Sequence, residues 1–142
     1  MHPPRPAALA EAPFVFWVQV TFRDLDALGH VNNAVYATYF ESARIAYYQE
    51  LTGLPLTQLD IILAELTISY KAPAFFGEWV AIGVQIDSFG TKSFVMSYNA
   101  VRAHDEALIA TGRSVLVVYD YAAGRSVPVP AALRERVMGR KD

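Results

Sequence analysis

Apolar and polar positions alternate from Phe14 onward, with Phe14, Phe16, Val18, Val20 and Phe22 on one side and Gln19 and Thr21 on the other. A period of two predicts a strand. The alternation breaks at Arg23, and the stretch to Asn33 holds Asp24, Asp26, Gly29 and two asparagines, all turn formers. From Ala34 to Leu51 there is neither proline nor glycine. Tyr36, Phe40, Ala43, Tyr47 and Leu51 recur at helical spacing, and Val35, Tyr39 and Ala46 extend the apolar surface around the cylinder. The pattern predicts a helix buried on more than one side. Asn32 or Asn33 can cap its start, and Gly53 followed by Pro55 marks its end.

Strands follow. Leu66, Ile68 and Tyr70 alternate with Glu65, Thr67, Ser69 and Lys71 until Pro73. Val80, Ile82, Val84 and Ile86 form the next apolar face, and Phe94, Met96 and Tyr98 the one after a turn at Gly90. Leu108 to Tyr119 reads as a long strand with Gly112 as a bulge or bend. A Gly124 turn, Pro128 and Pro130 lead to a short basic helix from Ala131 to Arg140. Hairpin spacing favours antiparallel pairing, because parallel neighbours need a crossover of about a dozen residues. The order is one strand, one long helix, then four or more antiparallel strands. This is an α+β fold in which an antiparallel sheet wraps around one long central helix, the hotdog architecture.

Composition narrows the function classes. The 142 residues are 54% hydrophobic and 18% charged, which excludes a disordered chain and fits one domain. Residues 1–12, proline- and alanine-rich, read as a flexible tail before a single domain spanning 13–142. A net charge of −2 argues against nucleic acid as the partner. With no cysteine, a thiolate metal site or cysteine nucleophile is excluded, and no metal site is expected. No stretch has the basic start and apolar run of a signal peptide or the length of a membrane span, so the expectation is a cytoplasmic protein without a membrane partner.

The run from Arg23 to Tyr36 (Arg-Asp-Leu-Asp-Ala-Leu-Gly-His-Val-Asn-Asn-Ala-Val-Tyr), continued by Tyr39-Phe40-Glu41-Ser42-Ala43-Arg44, resembles the 4-hydroxybenzoyl-CoA thioesterase family of hotdog proteins. The His-Val-Asn-Asn run is also similar to plant acyl-carrier-protein thioesterases. The resemblance implies an acyl-CoA thioesterase that needs no cofactor, coenzyme A being part of the substrate. It implies that Asp26, the second aspartate of an Asp-x-Asp-x-x-Gly segment, serves the hydrolysis. The backbone N–H of Asn33 would hold the oxyanion, and His30 would orient water or the acyl group unless its role is structural.

The chemistry is consistent with these residue types. An aspartate is ionised at neutral pH without special tuning, and it can attack a thioester carbonyl or take a proton from water. The first N–H groups of a helix lack partners within the helix and sit at its positive end. Asp24 pairs with Arg23 or caps the turn. Glu41, the rival carboxylate on the helix, pairs with Arg44 at i+3. Tyr36 is a candidate wall of the acyl pocket. Thr91-Lys92-Ser93-Phe94-Val95 is similar to a segment of 4-hydroxybenzoyl-CoA thioesterase whose lysine contacts coenzyme A phosphates. Arg125 matches a basic position near the end of that enzyme, so the resemblance makes both Lys92 and Arg125 candidate substrate-binding residues. The resemblance implies a site between two subunits, and with it a homodimer or a tetramer built as a dimer of dimers. The competing reading is a non-catalytic acyl-CoA-binding or regulatory hotdog domain.

Overall fold

The computed structural model describes residues 1–139. Strand β1 (Phe14–Gln19) leads through a one-turn 3-10 helix at Phe22–Asp24 to helix α1 (Val35–Thr52). Strands β2 (Ile61–Tyr70), β3 (Trp79–Phe89), β4 (Ser93–Arg102), β5 (Leu108–Asp120) and the short β6 (Arg125–Ser126) follow, then α2 (Ala131–Gly139). The sheet runs β1-β3-β4-β5-β2, with β6 paired to β5. All its pairings are antiparallel. This is the curled sheet around a central helix that the pattern predicts.

Aromatic rings make the joint between helix and sheet. Tyr47 stacks on Phe14 of β1 at 5.3 Å, Phe40 on Tyr98 of β4 at 4.8 Å, and Tyr48 against Phe94 at 5.9 Å. Phe40, Ala43 and Tyr48 are fully buried. Each large ring removed from water contributes about 1.5–3 kcal/mol. Gly53 closes the helix in the left-handed conformation at φ +73°, its N–H donating to the Gln49 carbonyl at 2.7 Å. In α2, Leu133 and Val137 are buried, and the Arg136 guanidinium donates to the Leu51 carbonyl at 3.0 Å. Arg140, the expected end of that helix, lies outside the described residues.

The structure corrects several expectations. Strand β2 starts at Ile61, well before Leu66. Its register slips between Leu63 and Glu65, so Ala64 is an extra residue and the alternation changes phase there. Gly112 sits in unbroken register opposite Tyr98 and Ile68, and it is no bulge. A Cβ at that position would lie 2.8 Å from the Phe40 ring, so the glycine makes room for the helix.

Within residues 1–12, read from the sequence as a flexible tail, a few positions pack on the outer face of the sheet. Ala7–Leu9 form a 3-10 turn, and Leu9 is buried beside Ala81 and Val101. A Cβ at Gly83 would meet Leu9 at 2.8 Å, so the sheet has a notch where Leu9 sits. His2 stacks on Trp17 at 4.5 Å. A short apolar segment on this face removes part of the sheet from water, which composition alone does not reveal.

Candidate active site

Between β1 and α1 the chain makes a small hairpin of its own. Leu25 and Val31 form an antiparallel bridge, the Asp26 N–H donates to the His30 carbonyl at 3.0 Å, and the Gly29 N–H donates back to the Asp26 carbonyl at 3.0 Å. Gly29 sits at φ +87°, where a side chain would be strained. A second bridge, His30 to Phe75, and the Val31 N–H donating to the Ala74 carbonyl at 2.9 Å lock this hairpin to the segment after β2.

Within it, Asp26 Oδ1 accepts the Leu28 N–H at 2.8 Å. Its Oδ2 lies 3.9 Å from His30 Nδ1, within ion-pair range but beyond a hydrogen bond. The two side chains are 26% and 31% exposed, so substrate or water can reach both. His30 Nδ1 lies 3.2 Å from the Val31 carbonyl oxygen. A carbonyl only accepts, so that bond requires the proton on Nδ1 and leaves Nε2 as the acceptor of the neutral ring.

The approach to α1 differs from simple capping. Asn32 Oδ1 accepts the Ala34 N–H at 2.9 Å, and the residue before the helix is Ala34, without a side-chain cap. Asn33 makes no capping bond. Its N–H donates to no protein acceptor among the described residues, and the residue is exposed. Its carbonyl accepts the Tyr70 hydroxyl at 3.0 Å. Tyr36 is buried, edge-on to Tyr39 at 5.8 Å and to Tyr70 at 5.6 Å. Burial, and then the negative charge of Glu78, push its hydroxyl up to about 12, so it stays protonated.

Asp24 caps the turn, as expected of one of its two readings. Its Oδ2 accepts the Thr21 N–H at 2.9 Å, and also the Tyr39 hydroxyl at 2.8 Å. Glu41 is 60% exposed and stands 3.9 Å from the guanidinium of buried Arg44, the i+3 pair read from the sequence. Arg44 also donates to the Tyr98 hydroxyl at 3.3 Å.

A cleft of about 290 Å³ opens beside this unit, lined by His30, Val31, Asn33, Tyr36, Tyr70, Lys71, Ala72 and Pro73. Asp26 is not among its lining residues; its Oδ2 lies 3.9 Å from Nδ1 of His30, which is. The sequence reading missed the Tyr70–Pro73 wall. Its only signal was a strand ending in Tyr-Lys-Ala-Pro. A larger cleft of about 510 Å³, between Pro3, Phe76, Trp79 and His104, contains none of the expected site residues.

Lys92 and Arg125 are not beside Asp26 in the same chain. The Lys92 carbonyl accepts the Val118 N–H, and Arg125 pairs with Asp120, so both sit where β5 ends. The hairpin with Asp26 sits where β3 begins, the Val20 N–H donating to the Glu78 carbonyl. Along β3, 11 residues long, the two ends lie at most about 35 Å apart. Among the described residues no group of three or more His, Asp or Glu side chains could hold a metal ion.

The family model for the thioesterase-like superfamily matches residues 20–137. The chain belongs to that superfamily. A thioesterase from Thermus thermophilus, solved with coenzyme A and Zn, is 37% identical, with a TM-score of 0.81 over 89% of this chain and 98% of that one. A thioesterase-superfamily structure from Jannaschia is 29% identical, with a TM-score of 0.83 over 96% and 92%. The long-chain acyl-CoA thioesterase FadM of Escherichia coli is 22% identical over 123 residues, 84% of this chain and 93% of its own length. This thioesterase is therefore a thioester hydrolase of the hotdog fold. No helix among its described residues is long and apolar enough to cross a membrane.

Proposed function

We propose that the thioesterase hydrolyses acyl-CoA, with Asp26 as the reacting carboxylate and the Asn33 N–H as the oxyanion donor. One observation carries this reading. A partly exposed carboxylate sits inside a tight hairpin, and just past that hairpin's end an N–H without a protein acceptor belongs to a residue of the cleft wall. In the general-base route Asp26 takes a proton from water, and the resulting hydroxide adds to the thioester carbon. The carbonyl oxygen becomes an oxyanion facing the Asn33 N–H, a donor worth about 3–4 kcal/mol of barrier in comparable sites. Collapse breaks the C–S bond, and the thiolate leaves as coenzyme A. In the nucleophilic route the carboxylate adds first, the thiolate leaves, and water then opens the acyl–aspartyl anhydride. His30 orients the water or the acyl group, and Tyr36 forms a wall of the acyl pocket.

The test is single-turnover cleavage of coenzyme A thioesters by Asp26→Asn and Glu41→Gln. Asp26→Asn keeps the shape and removes the charge. Hydrolysis by it falls by about a hundredfold or more while the fold is kept. Glu41→Gln cleaves close to normally. Normal cleavage by Asp26→Asn with a folded but inactive Glu41→Gln would transfer the role to the helix glutamate.

A further inference from the structure

Three hydrogen bonds converge on Asp24. Its Oδ2 accepts the Thr21 N–H at 2.9 Å and the Tyr39 hydroxyl at 2.8 Å. Its backbone carbonyl accepts the Asn32 N–H at 2.9 Å. Thr21 is where the chain leaves β1, Tyr39 is in the second turn of α1, and Asn32 immediately precedes Asn33. Asp26 follows only two residues later. One residue thus ties together the strand exit, the helix and the peptide beside the unpaired Asn33 N–H.

We propose that Asp24, anchored through Tyr39, is a positioning residue that sets the Asp26 carboxylate against the Asn33 N–H. This rests on the reading of those two groups given above. The chemistry of the pair suits a fixed tether. Burial works against ionisation of Asp24, but hydrogen bonds from the Thr21 backbone and the Tyr39 hydroxyl outweigh it and hold the carboxyl below its usual range. Burial, then Asp24 itself, push the Tyr39 hydroxyl well above its ordinary value. The Asp24 oxygen therefore stays free to accept, and the Tyr39 hydroxyl keeps the proton it donates, across the neutral range. Tyr39 is itself buried, so the tether is anchored in the core.

Displacement of reacting groups by about 1 Å can lower a rate by about a hundredfold. Asp24 is absent from the lining of the cleft, so its loss acts on kcat and leaves KM nearly unchanged. The experiment compares hydrolysis of acetyl-, decanoyl- and benzoyl-CoA by Asp24→Ala, Asp24→Asn, Tyr39→Phe and Asp26→Asn, with folding followed by thermal melts.

For the thioester cleaved fastest, Asp24→Ala lowers kcat by about thirtyfold and Tyr39→Phe by about threefold or more, with KM within about twofold. Asp24→Asn keeps an oxygen for both donors and recovers most of the rate. Wild-type kcat in folded Asp24→Ala, or a loss carried by KM, overturns the inference. So does an Asp24→Asn as slow as the alanine variant, since charge rather than the tether would then matter. If Asp24→Ala does not fold, Tyr39→Phe decides, because it removes one oxygen from an intact ring. If Asp26→Asn cleaves normally, the assignment of Asp26 has failed. If Asp26→Asn is inactive while Tyr39→Phe and Asp24→Ala are normal, only the positioning role has.

Discussion

Glu41 and Arg44 illustrate how differently two members of one ion pair weigh. Glu41 is 60% exposed and Arg44 only 5%, with 3.9 Å between the charged atoms. Solvent screens the carboxylate, and pairs of this kind contribute about 0–1 kcal/mol. The arginine side chain is buried, and its head also reaches Tyr98, so its removal costs packing as well as charge. Glu41→Gln is expected to lower stability by less than about 1 kcal/mol, whereas Arg44→Ala costs about 2 kcal/mol or more. Urea unfolding of both variants measures the difference. Equal losses would mean that the pair, rather than the buried stem, holds the helix there.

At the next level, α1 and the sheet are fitted to each other ring by ring. Phe40 and Tyr98 stack with their planes 17° apart, and Gly112 of β5 supplies the floor beneath them. An added methyl would lie 2.8 Å from the Phe40 ring and 3.0 Å from that of Tyr98. Both rings are almost wholly buried. Gly112→Ala is expected to cost about 1–3 kcal/mol through overpacking. The melting temperature then falls by about 3–10 °C. Combining it with Phe40→Leu should cost less than the sum of the two single changes, because the smaller side chain relieves the clash. Strict additivity in thermal melts would show that the two positions do not touch.

For the molecule as a whole, the two ends of the sheet carry different groups. Asp26, Asn33 and Tyr36 are at one end, and Lys92 and Arg125 at the other. Strand β2 forms one edge of the path, β1 the other, and β2 ends at Tyr70 in the cleft wall. Unpaired strand edges invite a further strand. A second copy paired antiparallel at β2 would reverse the ends, bringing its Lys92 and Arg125 toward the first copy's Asp26. A homodimer in this arrangement reconciles the phosphate-binding reading of both residues with their distance within one chain. Sedimentation at micromolar concentration is expected to give at least a dimer. Lys92→Ala and Arg125→Ala raise KM more than they lower kcat, and the effect shrinks as salt rises. A monomer, or unchanged KM in both variants at low salt, would refute the arrangement.

The parts of this protein readable from the sequence are those built from neighbouring residues. An apolar spacing that runs around the cylinder, closed by Gly53, is enough for α1, and period-two runs with short turns are enough for β3, β4 and β5. The segment from Arg23 to Tyr36 carries Asp26, His30 and Asn33 within eight positions, so its hairpin forms from local turn chemistry at Asp26 and Gly29. Other features depend on partners far away in the chain. The start of β2 was hidden because Ala64 shifts the alternation by one residue. Gly112 reads as a bend until Phe40, 72 positions earlier, is found against it. Leu9 and Gly83 fit each other across the outer face, and Tyr39 reaches Asp24 over 15 positions. The resemblance assigns Lys92 and Arg125 to the same substrate as Asp26, but within one chain they sit at the far end of β3 from it. Turn and periodicity signals act over a few residues, where backbone geometry dictates them. Packing contacts and the ends of strands are decided only when the sheet closes around the helix.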